Sequence, residues 1–267
     1  PPGEETTPTA VTVSTRVLDD AGEPGDGGSG DGGSGDGGSG DGGSGDGGSG
    51  AEAWTATALT SLPVGGTDMG ENPDIRPVGS VVDPETGYIY LADEMRPARV
   101  HVIDPATDTV VRVMTAPTGD PVEDGLRDIA LDPEKGWLYV AYSGNWIVMD
   151  AETGERVSGP YSLSGSARGM DIDVDGGRLF AATRGTGFEV RDLTTGDLVT
   201  KVEGPTDAGA WRSHGVAYDT VNDLIYVSNS DTDGSTEGIR VYSGTDYTLQ
   251  RSLAYDGADF RSIAVDG

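Results

Sequence analysis

The sequence contains no cysteine, which excludes disulfides and thiolate metal sites. It has only two histidines, His101 and His214, too few for a multi-histidine metal centre. Lysine is almost absent, with Lys135 and Lys201 alone, and 17 basic residues stand against 46 acidic ones for a net charge of −29. Nucleic acid and anionic membrane surfaces are polyanions, so neither suits a chain this acidic. Such acidity fits high salt, where screening confines repulsion to a few ångström, or a high-GC genome that is poor in lysine. Long apolar runs are missing too: nothing approaches the roughly 18 residues of a membrane helix, so no membrane insertion is expected. No window keeps a helical period. A Gly-x-Ser-x-Gly elbow, a phosphate loop and a dinucleotide fingerprint are all lacking. Carboxylates are so numerous that no pair stands out as an acid/base couple. The first residues, Pro1 to Thr9, have neither a basic nor an apolar leader region; they read as a mature start after signal removal, or as a cut boundary.

What is present falls into three parts. Residues 1–24 form an N-terminal extension that includes a strand-like segment, Val11–Leu18. Residues 25–50 repeat the unit Asp-Gly-Gly-Ser-Gly from Asp26 and read as a flexible linker, with a root-mean-square span of roughly 25–30 Å. Residues 51–267 are long enough for one well-buried domain.

An internal repeat sets the fold of that domain. A short strand ending in Asp recurs at Val78–Asp83, Leu126–Asp132, Ala167–Asp173, Ser213–Asp219 and Phe260–Asp266, at intervals of 49, 41, 46 and 47 residues. The first four copies continue through a turn to a second strand (Tyr88–Asp93, Trp137–Tyr142, Arg178–Thr183, Leu224–Asn229). A third strand follows (Arg99–Asp104, Asn145–Asp150, Gly187–Asp192, Gly238–Ser243), then a fourth from near Thr109, Arg156, Leu198 and Thr248. β-branched and aromatic runs with Asp, Gly, Pro and Thr between them are strands and tight turns. The spacing matches four-stranded antiparallel blades, and an all-β propeller is predicted.

Val81-Val-Asp-Pro-Glu-Thr-Gly-Tyr-Ile-Tyr-Leu-Ala-Asp93 and Ile129-Ala-Leu-Asp-Pro-Glu-Lys-Gly-Trp-Leu-Tyr-Val-Ala141 resemble the YVTN-type propeller repeat. The resemblance spans about 78–267 and implies architecture far more than function, since propellers host binders, scaffolds and enzymes. Four blades are complete and the fifth has only its inner strand before Gly267. The segments 55–63 and 11–18 resemble the missing fourth and third strands, so a five-bladed ring closed by both ends of the chain is expected; a piece of a larger propeller is the alternative. Through the linker, Val11–Leu18, with Val11, Val13 and Val17 on one side, reaches its own ring or that of a neighbouring molecule.

Two candidate sites emerge. In the loop after the second strand of the fourth blade, Asn229, Asp231 and Asp233 alternate, Gly234 takes the tight turn, and Glu237 stands at position nine, the spacing with which a short loop wraps calcium. The loop is similar to the calcium loops of integrin α-chain propellers. That resemblance implies side-chain ligands from Asn229, Asp231, Asp233 and Glu237 and the carbonyl of Ser235; a solvated acidic hairpin is the competing reading. Asp171-Ile-Asp-Val-Asp-Gly176 is a poorer match that overlaps a repeat turn. At the mouth of the inner strands, Arg127, Arg168, His214 and Arg261 share one repeat position. They suggest an anion site, unless each pairs with an acid of the adjacent blade. His101 is expected to pack or face solvent. The expected function is a non-catalytic, secreted or cell-surface binding or assembly module whose partner is itself, another surface protein or a glycan. The alternative is a lactonase-like hydrolase or lyase with a metal in the central channel near His214.

Overall fold

An apolar run closed by Asp and a Gly- or Asn-bearing turn folds back antiparallel, and repetition of that unit lays down sheets in chain order. The computed structural model describes residues 76–117, 125–184, 187–204, 212–229, 237–254 and 261–265. They hold four antiparallel four-stranded sheets, the blades of an all-β propeller. Blade 1 is β1 (Pro77–Val82), β2 (Ile89–Asp93), β3 (Arg99–Asp104) and β4 (Thr109–Thr115). Blade 2 is β5 (Leu126–Asp132), β6 (Trp137–Tyr142), β7 (Asn145–Asp150) and β8 (Arg156–Ser162). Blade 3 is β9 (Ala167–Asp173), β10 (Arg178–Thr183), β11 (Gly187–Asp192) and β12 (Leu198–Val202). Blade 4 is β13 (Ser213–Asp219), β14 (Leu224–Asn229), β15 (Glu237–Ser243) and β16 (Leu249–Ala254). The innermost strands β1, β5, β9 and β13 pack against one another in that order.

In blades 2 and 3 the central strands are covered on both faces, which is why Trp137–Tyr142 reads as a continuous apolar run rather than an alternation. Three apolar wedges fill the seams. Val100, Met114, Leu126 and Ile147 lie between blades 1 and 2, Tyr139, Trp146 and Leu179 between blades 2 and 3, and Phe180, Phe188, Ile225 and Tyr242 between blades 3 and 4. Each fully buried side chain of this size contributes about 1.5–3 kcal/mol.

The repeat aspartates cap the turns after the inner strands. Asp83 accepts from Glu85 N and Thr86 Oγ1, Asp132 from Lys135 N, Asp173 from Gly176 N, and Asp219 from Val221 N and Asn222 N. Asp104, Asp150 and Asp192 do the same between third and fourth strands. The end of the propeller that carries these turns is therefore pinned by local side-chain hydrogen bonds.

The predicted strands of the four blades are present within a residue or so of their expected limits. The fifth inner strand, expected at 260–266, is not: residues 261–265 join no ladder, and 260 and 266 lie outside the described residues. A ladder needs a partner strand, and the segments expected to supply it, 11–18 and 55–63, are also outside the description. The stretch still lies beside β13, with the Arg261 carbonyl 2.6 Å from His214 Nδ1. A Cβ on Gly215 would come 3.0 Å from Ile263 N.

Among the described residues, the two outermost blades each keep an apolar face that no blade covers. On blade 1 it comprises Val82, Ile89, Leu91, Ile103, Val110 and Val113; Val82 is 57% exposed, whereas Leu91 and Ile103 are buried. On blade 4 it comprises Tyr226, Ile239, Val241 and Leu253, of which Val241 is buried and Leu253 exposed.

Candidate functional site

Ala167 pairs with Thr183, Leu126 with Tyr142 and Ser213 with Asn229, so the inner strands begin at the end where the loops between second and third strands emerge. One residue in, every inner strand carries a β-bulge. The register skips between Pro77 and Gly79, between Leu126 and Asp128, between Ala167 and Gly169, and between Ser213 and Val216. The residues left out of the ladder are Val78, Arg127, Arg168 and His214 with Gly215. A bulge re-aims its side chain off the sheet face. The sequence-predicted mouth residues are thus the bulge residues, and Arg261 lies beside His214 through its carbonyl.

Their electrostatics differ. Arg127 forms an ion pair with Glu94, on the loop after β2 of blade 1, as the blade-locking alternative expected. Its Nε is buried and has no partner. Arg168 is half-buried and makes no hydrogen bond or ion pair among the described residues. Desolvation, and then the charges of Arg127, Arg184 and Arg261, push its pKa down against the pull of Glu94. Arg184, on the loop after β10, is anchored to the same end by its N–H, which donates to Ser166 O at 3.0 Å.

Two acids on the inner strands take on a role that the sequence does not assign them. Asp128 accepts from Ile129 N at 2.9 Å and from Met170 N of blade 3 at 2.7 Å. Asp171 accepts from Ile172 N at 2.8 Å and from Tyr218 N of blade 4 at 2.7 Å. Both keep some solvent access, yet protein crowds them closely enough for desolvation to dominate. It raises Asp128 to about 7 and Asp171 to about 6 despite the backbone hydrogen bonds. Both side chains are occupied in tying one inner strand to the next, which favours a fastening role over proton transfer. The repeat alignment holds one signal for this layer: Gly79, Gly169 and Gly215 occupy the Asp128 position in the other blades. A Cβ at Gly169 would lie 2.5 Å from His214 O, and one at Gly79 2.0 Å from Asp128 Oδ1, so neighbouring inner strands approach too closely for a side chain.

Of the calcium-loop candidates, Asp231, Asp233 and Ser235 lie outside the described residues, as do the side chains of Asn229 and Glu237. The backbone places Asn229 at the end of β14 and Glu237 at the start of β15, so the loop springs from the mouth end. No group of three metal-ligating side chains occurs among the described residues. In the second near-match, Asp173 is engaged by Gly176 N and Arg178 while Asp171 faces Tyr218 N, so the two diverge. His101 is fully buried, with Nε2 3.3 Å from Asp93 Oδ2 and Nδ1 without a partner. The assembly strand with Val11, Val13 and Val17 is outside the described residues.

No protein-family model matches the sequence, and no curated protein does. Among solved structures, hydrazine synthase of Kuenenia stuttgartiensis is similar with a TM-score of 0.56 at 15% identity, over 71% of this chain and 52% of that one. The chain therefore spans about half the length of that structure. At this identity the likeness bears on the β-propeller fold alone.

Proposed function

We propose that this chain is a non-catalytic, YVTN-like, secreted or cell-surface propeller that acts as a binding and assembly module. Its ring has five blades, the last completed by residues 261–265 and strands from the N-terminal region. The observation that carries this reading is the pair of apolar faces on blades 1 and 4 that no described blade covers, Val82 being 57% exposed, with 261–265 already lying against β13. A wedge of that kind is filled by one more blade, and an inner strand without a ladder partner among the described residues invites strand addition. Val11–Leu18 is the proposed added strand, and the Gly/Ser/Asp tract gives it reach. Pairing with the next molecule is head-to-tail and generates a filament unless the rotation closes it. The Asn229–Glu237 loop is proposed to hold calcium at the mouth end.

Light scattering and electron microscopy of the full chain and of a form lacking residues 1–20 test the assembly. Polymers are expected from the full chain, and folded but less stable monomers from the shortened one. Polymers that survive the deletion, or a full chain that stays monomeric at high concentration and high salt, overturn the reading.

A further inference from the structure

We propose that the mouth of the propeller axis binds a carboxylate, with the Arg168 guanidinium as its central donor and Arg127, Arg184 and Arg261 around it. Three observations converge on this. The bulge that frees Arg168 from the ladder recurs in every inner strand, so the side chain is aimed off the blade by backbone geometry rather than by an accident of packing. Arg127 is paired with Glu94 across the seam, whereas Arg168, half-buried in a molecule of net charge −29, feels Glu94 only through its charge and makes no ion pair among the described residues. A guanidinium that has lost water and gained no partner is held at a cost, and the neighbouring arginine charges add to it. An oxyanion relieves both, and the planar guanidinium fork suits two parallel hydrogen bonds to one carboxylate.

The charge of the surroundings selects among oxyanions. Glu94 flanks the mouth and Asp128 stands one residue inward from Arg127. Both repel a phosphate or sulfate dianion more strongly than a monoanionic carboxylate. A carboxylate has two sources here: a small free acid, or an acidic peptide such as the chain's own Asp26–Asp46 tract. The site deepens the binding half of the proposed function, and its failure is separable from that of strand exchange, because polymers are scored by scattering and the site by calorimetry.

The test is a titration of the full-length protein with acetate, with the peptide Asp-Gly-Gly-Ser-Gly, with sulfate and with phosphate, at fixed ionic strength made up with chloride. Saturable binding of acetate or of the peptide is expected, and the tighter of the two identifies the source. Arg168→Gln is expected to weaken it at least tenfold, with partial recovery in Arg168→Lys, which keeps the charge and loses the fork. Arg156→Gln, on the exposed outer strand of blade 2, is expected to leave it unchanged. Circular dichroism verifies that each variant is folded, and Arg168→Lys carries the comparison if the glutamine form is not. No saturable binding of either carboxylate, equal binding by Arg168→Gln, or a tenfold preference for sulfate or phosphate overturns the proposal.

Discussion

Asp128 and Asp171 are acids placed where ionisation is resisted, and this gives the stability curve a definite shape. Their folded pKa values of about 7 and about 6 lie above the ordinary 3.8, so their contribution is fully present below about pH 4. It is lost as pH rises through 6 and 7. The turn-capping acids work the other way. Desolvation is outweighed at Asp83 by the combined hydrogen bonds of Thr86 and Glu85 and at Asp219 by those of Asn222 and Val221, and the Thr153 hydrogen bonds hold Asp150 low, so their stabilisation is lost as pH falls below about 4. Stability should therefore peak in mild acid. In about 1 M salt, where long-range repulsion is screened, Tm should fall by roughly 2–8 °C from pH 5 to pH 8, matching a loss of about 1–2 kcal/mol once partial solvent access is allowed for. Asp128→Asn should flatten that limb. A wild-type Tm that is level or rising over this range contradicts the assignment.

At the level of the single blade, strand limits were legible in the sequence because the turns are self-contained. Asp150 meets its Thr153 partner three residues away, so the signal and the structure it makes lie in one short window. The mouth residues were legible for a related reason: Arg127, Arg168 and His214 share a repeat position, and repetition converts alignment into proximity. The bulges that expose them, the glycine column at 79, 169 and 215, and the Asp128 and Asp171 fastenings were not legible. They depend on how closely one blade approaches the next, which no local window contains. The fifth inner strand depends on such a contact too: residues 261–265 join no ladder among the described residues, and an apolar run ending in Asp becomes a strand only when a partner accepts its hydrogen bonds. The loop between β14 and β15 offers an element-scale test. Calcium titrated into the wild type should give a saturable heat that disappears in Asp231→Ala with Asp233→Ala, while the blade's far-ultraviolet dichroism stays the same. Identical heats from both proteins eliminate the site.

For the molecule as a whole, the decisive feature is the pair of apolar faces at the two ends of the blade series that no described blade covers. A chain shortened to residues 76–267 should bind a hydrophobic dye and self-associate, because contiguous apolar patches of several hundred Å² are uncommon on monomers. Adding a peptide of residues 11–18 in trans should reduce both effects; a monomeric fragment that binds no dye counts against five-blade closure. The seams between blades carry a further consequence. Blade 1 reaches blade 2 through Arg112 and the carbonyls of Ala151 and Glu152. Blade 2 meets blade 3 through Asp128 with Met170 N, and through Ser164 with Glu189. Blade 3 meets blade 4 through Asp171 with Tyr218 N, and through Arg178 with the Tyr218 hydroxyl. Blades of such similar outline are interchangeable to the hydrophobic effect, so a nascent chain risks stacking them out of turn. Each seam is a lock with its own key: a blade that docks on the wrong neighbour buries Asp128, Asp171 or Glu189 without its inter-blade donor. Out-of-order stacks therefore come apart again, and the fold inherits its sequence of assembly from a handful of unlike polar pairs.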